Sequence, residues 1–213
     1  MEPSWSILWR YREALLGGLA TTVELSLLGI VGSTLLGLLV AGCQATSNPI
    51  VHRLARAYIE VVRNIPNIVK VFFLYYVAGL DAFLAGILGL TVHQSAYIAD
   101  VVAGGLRGIP REQGESARVL GHSHAQIFVF VLLPQLLRAV IPPMTNQYIE
   151  VVKNSSIVMF ISVTELTYQT QQIEFDTGRG YVAAAAVTLV YVMLALAISG
   201  LMDLAQRSLK RLA

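Results

Sequence analysis

A chain of 213 residues that is 55% hydrophobic and only 13% charged lies outside the range of ordinary soluble domains, which carry roughly 25% charged residues. Its mean hydropathy of +0.65 places it among membrane proteins. A net charge of +2, with no basic run and no basic patch interleaved with aromatics, excludes a nucleic-acid binder. The single Cys43 excludes an intrachain disulfide and gives no thiol metal-site spacing.

In chain order, residues 1–16 predict a short interfacial helix, because Trp5, Trp9 and Tyr11 are ring types that prefer the membrane boundary. The apolar stretch behind them is too long for a signal-peptide core, so no cleavable signal is expected. A first span is predicted over about 17–44, and residues 25–43 of it contain no Asp, Glu, Lys or Arg. That length suffices for a hydrocarbon core, which needs about 20 apolar residues as helix. Gly29, Gly32 and Gly37 let another helix approach closely. A polar loop with His52, Arg53 and Arg56 follows.

The second segment, about 56–80, is interrupted by Arg63, Asn64, Pro66 and Lys70. The third spans about 82–106, with Asp81 before it and Asp100 within it, and Arg107 within reach of Asp100. Gly108 and Pro110 then break the chain, and a polar helix follows with Glu112 and Glu115 in its first turns. Arg118 stands three residues after Glu115, close enough to pair with it. Gly121 is a C-terminal stop and Ser123 an N-cap for the next helix. A fourth span covers about 127–149, with Pro134, Pro142 and Pro143 inside it. Residues 150–177 form a shorter helix and loop, and a fifth span covers about 180–202.

No stretch alternates with period two, so a transmembrane barrel is excluded and helices remain. The fold class is an all-α integral membrane protein of about five spans, in a single domain over 1–213. Arg53, Arg56, Arg107, Arg111, Arg118, Arg207, Lys210 and Arg211 fall on one side if the N-terminus is outside. The positive-inside rule makes that side cytoplasmic, against the votes of Arg10 and Arg12. The polar stretch 110–125 is then a cytoplasmic loop between spans three and four.

Ionisable residues within membrane segments mark a functional path or a partner. Glu24, Lys70, Asp100, Glu150, Lys153 and Glu165 are the candidates. Glu24 lies near a span end, and Lys70 is long enough to snorkel to an interface. Asn146, Glu150 and Lys153 or Asn154 share one helix face, with Ser155 and Ser156 adding hydroxyls. That face offers an acceptor for an ammonium and a donor for a carboxylate. The Pro142–Pro143 pair predicts a break that exposes backbone groups at mid-membrane. The same Glu150 and Lys153 can instead form an internal pair that only joins helices. His52, His93, His122 and His124 are scattered and read as surface residues. A membrane-embedded enzyme would need paired acids or a histidine cluster at motif spacing, and the sequence has neither.

One pattern is specific. Glu115-Ser116-Ala117, three residues, Gly121, nine residues, then Val131-Leu132-Leu133-Pro134 resembles the EAA loop of ABC importer permeases. Ser116 stands for the usual alanine and Val131 for isoleucine. Arg63-Asn64-Ile65-Pro66, the stretch from Ala96 to Gln113, and the segments from Leu133 and Val163 resemble the histidine/glutamine/glutamate-type permeases of bacterial amino acid importers. Asn67, Lys70 and Asp100 depart from that pattern. The resemblance covers roughly 15–210 and implies a type I ABC importer permease. It implies a coupling helix in which Glu115, Ser116, Ala117, Gly121, Leu133 and Pro134 carry motion from an ATPase. Read from the residues themselves, the candidate pathway is Asn146, Glu150, Lys153, Asn154, Ser155 and Glu165. The implied partners are a second permease chain, identical or related, two cytoplasmic ATP-binding subunits, and a periplasmic or lipid-anchored solute-binding protein. The setting is lipid of the bacterial inner membrane, and no nucleic acid is involved. The substrate is a polar amino acid, or in the same machine an opine or another small polar solute. With no Walker A pattern in this chain, no cofactor is expected on it, and ATP with Mg belongs to the partner.

Overall fold

The computed structural model describes residues 5–211, with side chains through Leu209. Residues 1–4 of the interfacial prediction and the side chains of Lys210 and Arg211 lie outside the described residues. Within them the chain forms nine helices and no strand: α1 Trp5–Arg10, α2 Arg12–Ala45, α3 Pro49–Asn64, α4 Asn67–Val77, α5 Ala82–Arg107, α6 Arg111–Val119, α7 His124–Ile161, α8 Leu166–Thr177 and α9 Gly180–Arg211. Four of them (α2, α5, α7 and α9) are long and apolar enough to cross a membrane. The fifth segment expected from the sequence is built in two pieces, α3 and α4.

The break between those pieces follows from Pro66. A residue before proline is pushed out of the helical region, and Ile65 sits at φ −95°, ψ 128°. The last carbonyls of α3 are thereby left without amide donors. Lys70 fills the gap: its Nζ donates to the carbonyls of Val62 and Ile65 at 2.8 Å each and lies 3.0 Å from His93 Nδ1. Lys70 therefore does not snorkel to an interface. Two of its donors hold the broken helix together and the third meets His93 of α5.

The predicted break at Pro142–Pro143 is absent. Both prolines lie inside a helix that continues to Ser155. Each proline removes one amide donor, a cost of about 3 kcal/mol or more in a helix interior. Here Leu136, Val140 and Met144 pin the same tract against α5 around the buried Ile98. α7 departs from regular geometry at its two ends instead, with wide turns over Ile127–Leu132 ahead of Pro134 and tight 3-10 turns over Ser156–Ile161.

Close contacts fix the helix directions. A Cβ on Gly37 would sit 2.7 Å from Ile98 Cγ2, and one on Gly32 2.5 Å from Thr91 Oγ1, so α2 and α5 run parallel in near-backbone contact. Gly29 faces Leu90 and Val151 in the same way. Gln94 of α5 donates to Gln147 of α7 at 2.7 Å, and Gly105 meets Val140, so α5 and α7 are antiparallel. Ala55, Ile59 and Val62 of α3 pack on Val40 and Ala41 of α2 and on Ala96 and Ala99 of α5. The C-termini of α2 and α5 thus share one end with α6 and the start of α7. Arg53, Arg56, Arg107, Arg111, Arg118 and Arg207 all belong to that end.

The opposite end holds α1 and α8. Ile7 is buried against Ile173 and Ala183, while Trp5 and Trp9 are exposed, as an interfacial helix requires. Tyr11 donates to Asp176 Oδ2 at 2.9 Å, and that bond raises its phenol above the usual value.

Candidate coupling corner and polar wall

Residues 108–134 form a corner built almost wholly by local bonds. Helix α6 ends at Gly121, which takes φ +86°, a left-handed conformation suited to glycine. The Gly121 amide donates to the Arg118 carbonyl at 3.0 Å and the His122 amide to the Ala117 carbonyl at 3.2 Å. These bonds satisfy the final carbonyls of α6. Across the turn, Ser123 and Gln126 make a reciprocal capping box, with Gln126 N donating to Ser123 Oγ at 3.3 Å and Ser123 N to Gln126 Oε1 at 2.8 Å. Arg118 spans the corner to His124 Nε2 at 2.8 Å instead of pairing with Glu115. The reason is geometric: the reversal at Gly121 brings the N-terminus of α7 back beside the last turn of α6. Gln135 donates both to Gln113 of α6 and to the Val131 carbonyl, tying the corner to the regular part of α7.

Of the motif residues, Ala117 is buried and Glu115, Ser116 and Gly121 are exposed, while Leu133 and Pro134 are half-buried where α7 becomes regular. Val119 and Leu120 at the tip are 88% and 78% exposed. They form an exposed apolar tip on a polar helix outside the apolar spans.

The second feature is a polar wall. On α5 the face that α2, α3 and α7 leave uncovered carries His93, Tyr97, Asp100 and Arg107, spaced by four, three and seven. The residues beside it are linked. Lys70 meets His93, whose ring stands edge-on to Tyr97 at 5.2 Å. The Arg63 guanidinium lies over Tyr97 at 5.1 Å and forms an ion pair with Asp100. Asp100 is thus held by α3 and not by Arg107 as the sequence suggested. Arg107 is two turns away along the same helix, whereas Arg63 reaches across from the end of α3. Glu150 of α7 is within electrostatic reach of His93, and Lys153 donates to Glu150 at 2.9 Å. Charges of this kind are expensive against lipid, so the wall faces water or another polar surface. At the α6 end it opens into a cavity of about 540 Å³ lined by Gln44, His52, Arg56, Arg63, Asp100 and Arg107.

The structure divides the pathway residues named from the sequence. Asn146 and Lys153 are exposed, and Glu150 and Asn154 half-exposed, on the surface of α7. Ser155 and Glu165 are not on that face; both are fully buried. Glu165 caps α8, accepting from the amides of Thr167 and Tyr168 at 2.9 and 2.8 Å and from the Tyr191 hydroxyl at 2.8 Å. Thr22 Oγ1 adds a longer contact at 3.5 Å and accepts from the Leu166 amide, so the carboxylate joins α2, α8 and α9. Glu24 is exposed on α2. His93, Tyr97 and Arg63 were missed as wall residues. The sequence places His93 on the surface, and the signal that points to the wall instead is the polar stripe at helical spacing on a span.

Fold and site together define a multi-pass membrane subunit with a soluble corner at one end of a charged wall. A family profile described as "Binding-protein-dependent transport system inner membrane component" matches residues 33–211, and the chain belongs to that family. It is 31% identical to the glutamine transport system permease protein GlnP of Escherichia coli K12 over 99% of both chains. It is 34% identical to the probable glutamine ABC transporter permease protein GlnM of Bacillus subtilis over 91% of this chain and 92% of that protein. Among solved structures, an amino acid ABC transporter crystallised with histidines matches with a TM-score of 0.88 and 29% identity, over 98% of this chain and all of the other. The MetNI methionine transporter shares the fold at a TM-score of 0.72 and 24% identity. The fold is that of type I ABC importer permeases.

Proposed function

We propose that this chain is the permease subunit of an ATP-driven importer of polar amino acids, and that α6 receives the motion of an ATPase subunit. The observation that carries the reading is the corner at Gly121: a short polar helix, locked at both ends, with an exposed apolar tip, at the end of the bundle rich in arginine. In this reading that end is cytoplasmic and the N-terminus is outside. ATP and Mg are bound by two partner subunits, a solute-binding protein delivers the amino acid from outside, and a second permease chain closes the pathway. The wall of Arg63, His93, Tyr97 and Asp100, braced by Lys70 and with Glu150 and Lys153 beside it, supplies donors and acceptors that a zwitterion needs. The glutamine relatives favour glutamine or a close analogue as substrate.

The test is reconstitution of the chain with its ATPase and binding protein in vesicles containing ATP. Uptake of labelled L-glutamine, dependent on binding protein and accelerated by it, is the expected result. Hydrolysis that ignores the loaded binding protein, or uptake only of an unrelated solute class, would sink the reading.

A further inference from the structure

A separate cleft of about 330 Å³ opens where the end of α7 meets α8 and α9. That volume is at the small end of the range for small-molecule sites, about 300–1,000 Å³. Its polar lining is five hydroxyls (Ser156, Thr167, Thr170, Thr188 and Tyr191) and the ammonium of Lys153. All six side chains keep accessible surface, and only Lys153 also borders the polar wall.

The direction of the hydroxyl bonds decides what the cleft can hold. Ser156 donates to the Lys153 carbonyl at 2.7 Å, Thr170 to the Leu166 carbonyl at 3.3 Å and Thr188 to the Ala184 carbonyl at 2.8 Å. Glu165 accepts from two backbone amides and from the Tyr191 hydroxyl at 2.8 Å, so the tyrosine proton is committed to that carboxylate. In the 3.2 Å contact between Thr167 and Tyr191 the threonine is therefore the donor. All five hydroxyl protons are spent on the chain itself, and what the five oxygens still offer a ligand is lone pairs. Lys153 is the one donor. Its ammonium has three protons, and the bond to Glu150 takes one of them. A carboxylate would meet a single donor among five acceptors. An ammonium or guanidinium would meet the like charge of Lys153. A primary carboxamide matches both kinds of group: its two N–H protons go to hydroxyl oxygens and its oxygen takes a proton from Lys153.

We propose that this cleft reads the side-chain carboxamide of the transported amino acid, and so separates glutamine from glutamate within the permease itself. The inference deepens the transport reading above and rests on it. Lys153 joins the two regions: it bonds to Glu150 beside the wall and lines the cleft. The α-ammonium and α-carboxylate, common to all amino acids, stay with the wall, and the side chain is tried in the cleft.

The test uses the permease–ATPase complex purified without binding protein, so that selection by the binding protein does not enter. Saturable binding of labelled L-glutamine is measured with unlabelled L-glutamine, L-glutamate and L-lysine as competitors. Glutamate and lysine should each need a concentration higher by about tenfold or more than glutamine, because they leave hydrogen-bonding groups of the cleft unmatched. Thr188→Val keeps the shape of an exposed side chain and removes one acceptor. It should weaken glutamine by about fivefold, the worth of one hydrogen bond, without weakening glutamate, so that the preference shrinks. Thr170→Val gives the same comparison should Thr188→Val insert poorly. Equal competition by the three amino acids, or an unchanged preference in both valine variants, overturns the cleft as the reader. So does absence of saturable binding, which would leave the choice to the binding protein. The complete system in vesicles with ATP reports on the transport reading separately. Glutamine uptake there keeps that reading whatever the cleft does, and no uptake of any polar amino acid sinks both.

Discussion

The corner at Gly121 and the wall on α5 are both polar features of an apolar chain, yet they are made in opposite ways. The corner is mostly local: Ser123 and Gln126 bond across three positions and Arg118 and His124 across six, and one longer tie, Gln135 to Gln113, joins α7 to α6 across 22. The wall is assembled from three helices, with Arg63 meeting Asp100 across 37 positions and Lys70 meeting His93 across 23. A locally built unit keeps its shape when the bundle moves, which suits a part that must transmit force. An assembled wall changes whenever its helices shift, which suits a part that must open and close.

The comparison is broken most severely at Gly121. Valine there meets a φ of +86°, which a β-branched residue avoids at a cost of about 1–3 kcal/mol. Gly121→Val should abolish binding-protein-stimulated uptake while the chain still inserts and elutes as the wild type in detergent. Gly121→Asn, which tolerates the left-handed region, should retain most uptake. If the valine variant transports normally, a rigid corner is not needed.

The corner was legible because its motif, its glycine and its caps are all contiguous in sequence. The wall was not, because the periodicity of α5 gives its faces but not which one remains uncovered. Only the packing of Gly37 on Ile98, of Ala55 and Ile59 on Ala96 and Ala99, and of Val140 on Gly105 turns His93, Tyr97 and Asp100 to the face where Lys70 and Arg63 meet them. The same limit explains Glu165. Its sequence position allows either a pathway acid or a helix cap, and only the arrival of Tyr191 and Thr22 from distant helices decides for the cap. The location of the helix break was likewise undecidable from proline alone. Pro66 breaks its helix where a lysine can take the freed carbonyls, while Pro142 and Pro143 are held helical by neighbours.

Lys70 gives the next largest effect. Lys70→Met is nearly isosteric and removes the donors of two carbonyls. Each unsatisfied carbonyl costs about 1–3 kcal/mol, so a loss of about 2 kcal/mol or more is expected as a lower melting temperature in detergent. Lys70→Arg, which keeps donors, should recover part of it. An unchanged melting temperature in the methionine variant would mean the break at Pro66 is held by packing alone.

Asp100→Asn and Arg63→Gln should each cost less, because both partners are partly exposed in the single chain, at 34% and 46%. Coupling of about 1 kcal/mol between them is expected from a double-mutant cycle on melting. Independence of the two substitutions would detach α3 from the wall.

The smallest stability effect, and the sharpest discrimination, belongs to Lys153. Its pair with Glu150 is three residues apart on one helix, with side chains 60% and 47% exposed. Such pairs contribute about 0–1 kcal/mol, so Lys153→Ala should leave the melting temperature nearly unchanged. If the pair only joins helices, uptake should be as little affected as stability. If Lys153 and Glu150 continue the wall onto α7, uptake should fall several-fold at unchanged stability, mainly through a weaker apparent affinity. A drop in stability without a specific loss of uptake would return both residues to a structural role and confine the wall to α3, α4 and α5.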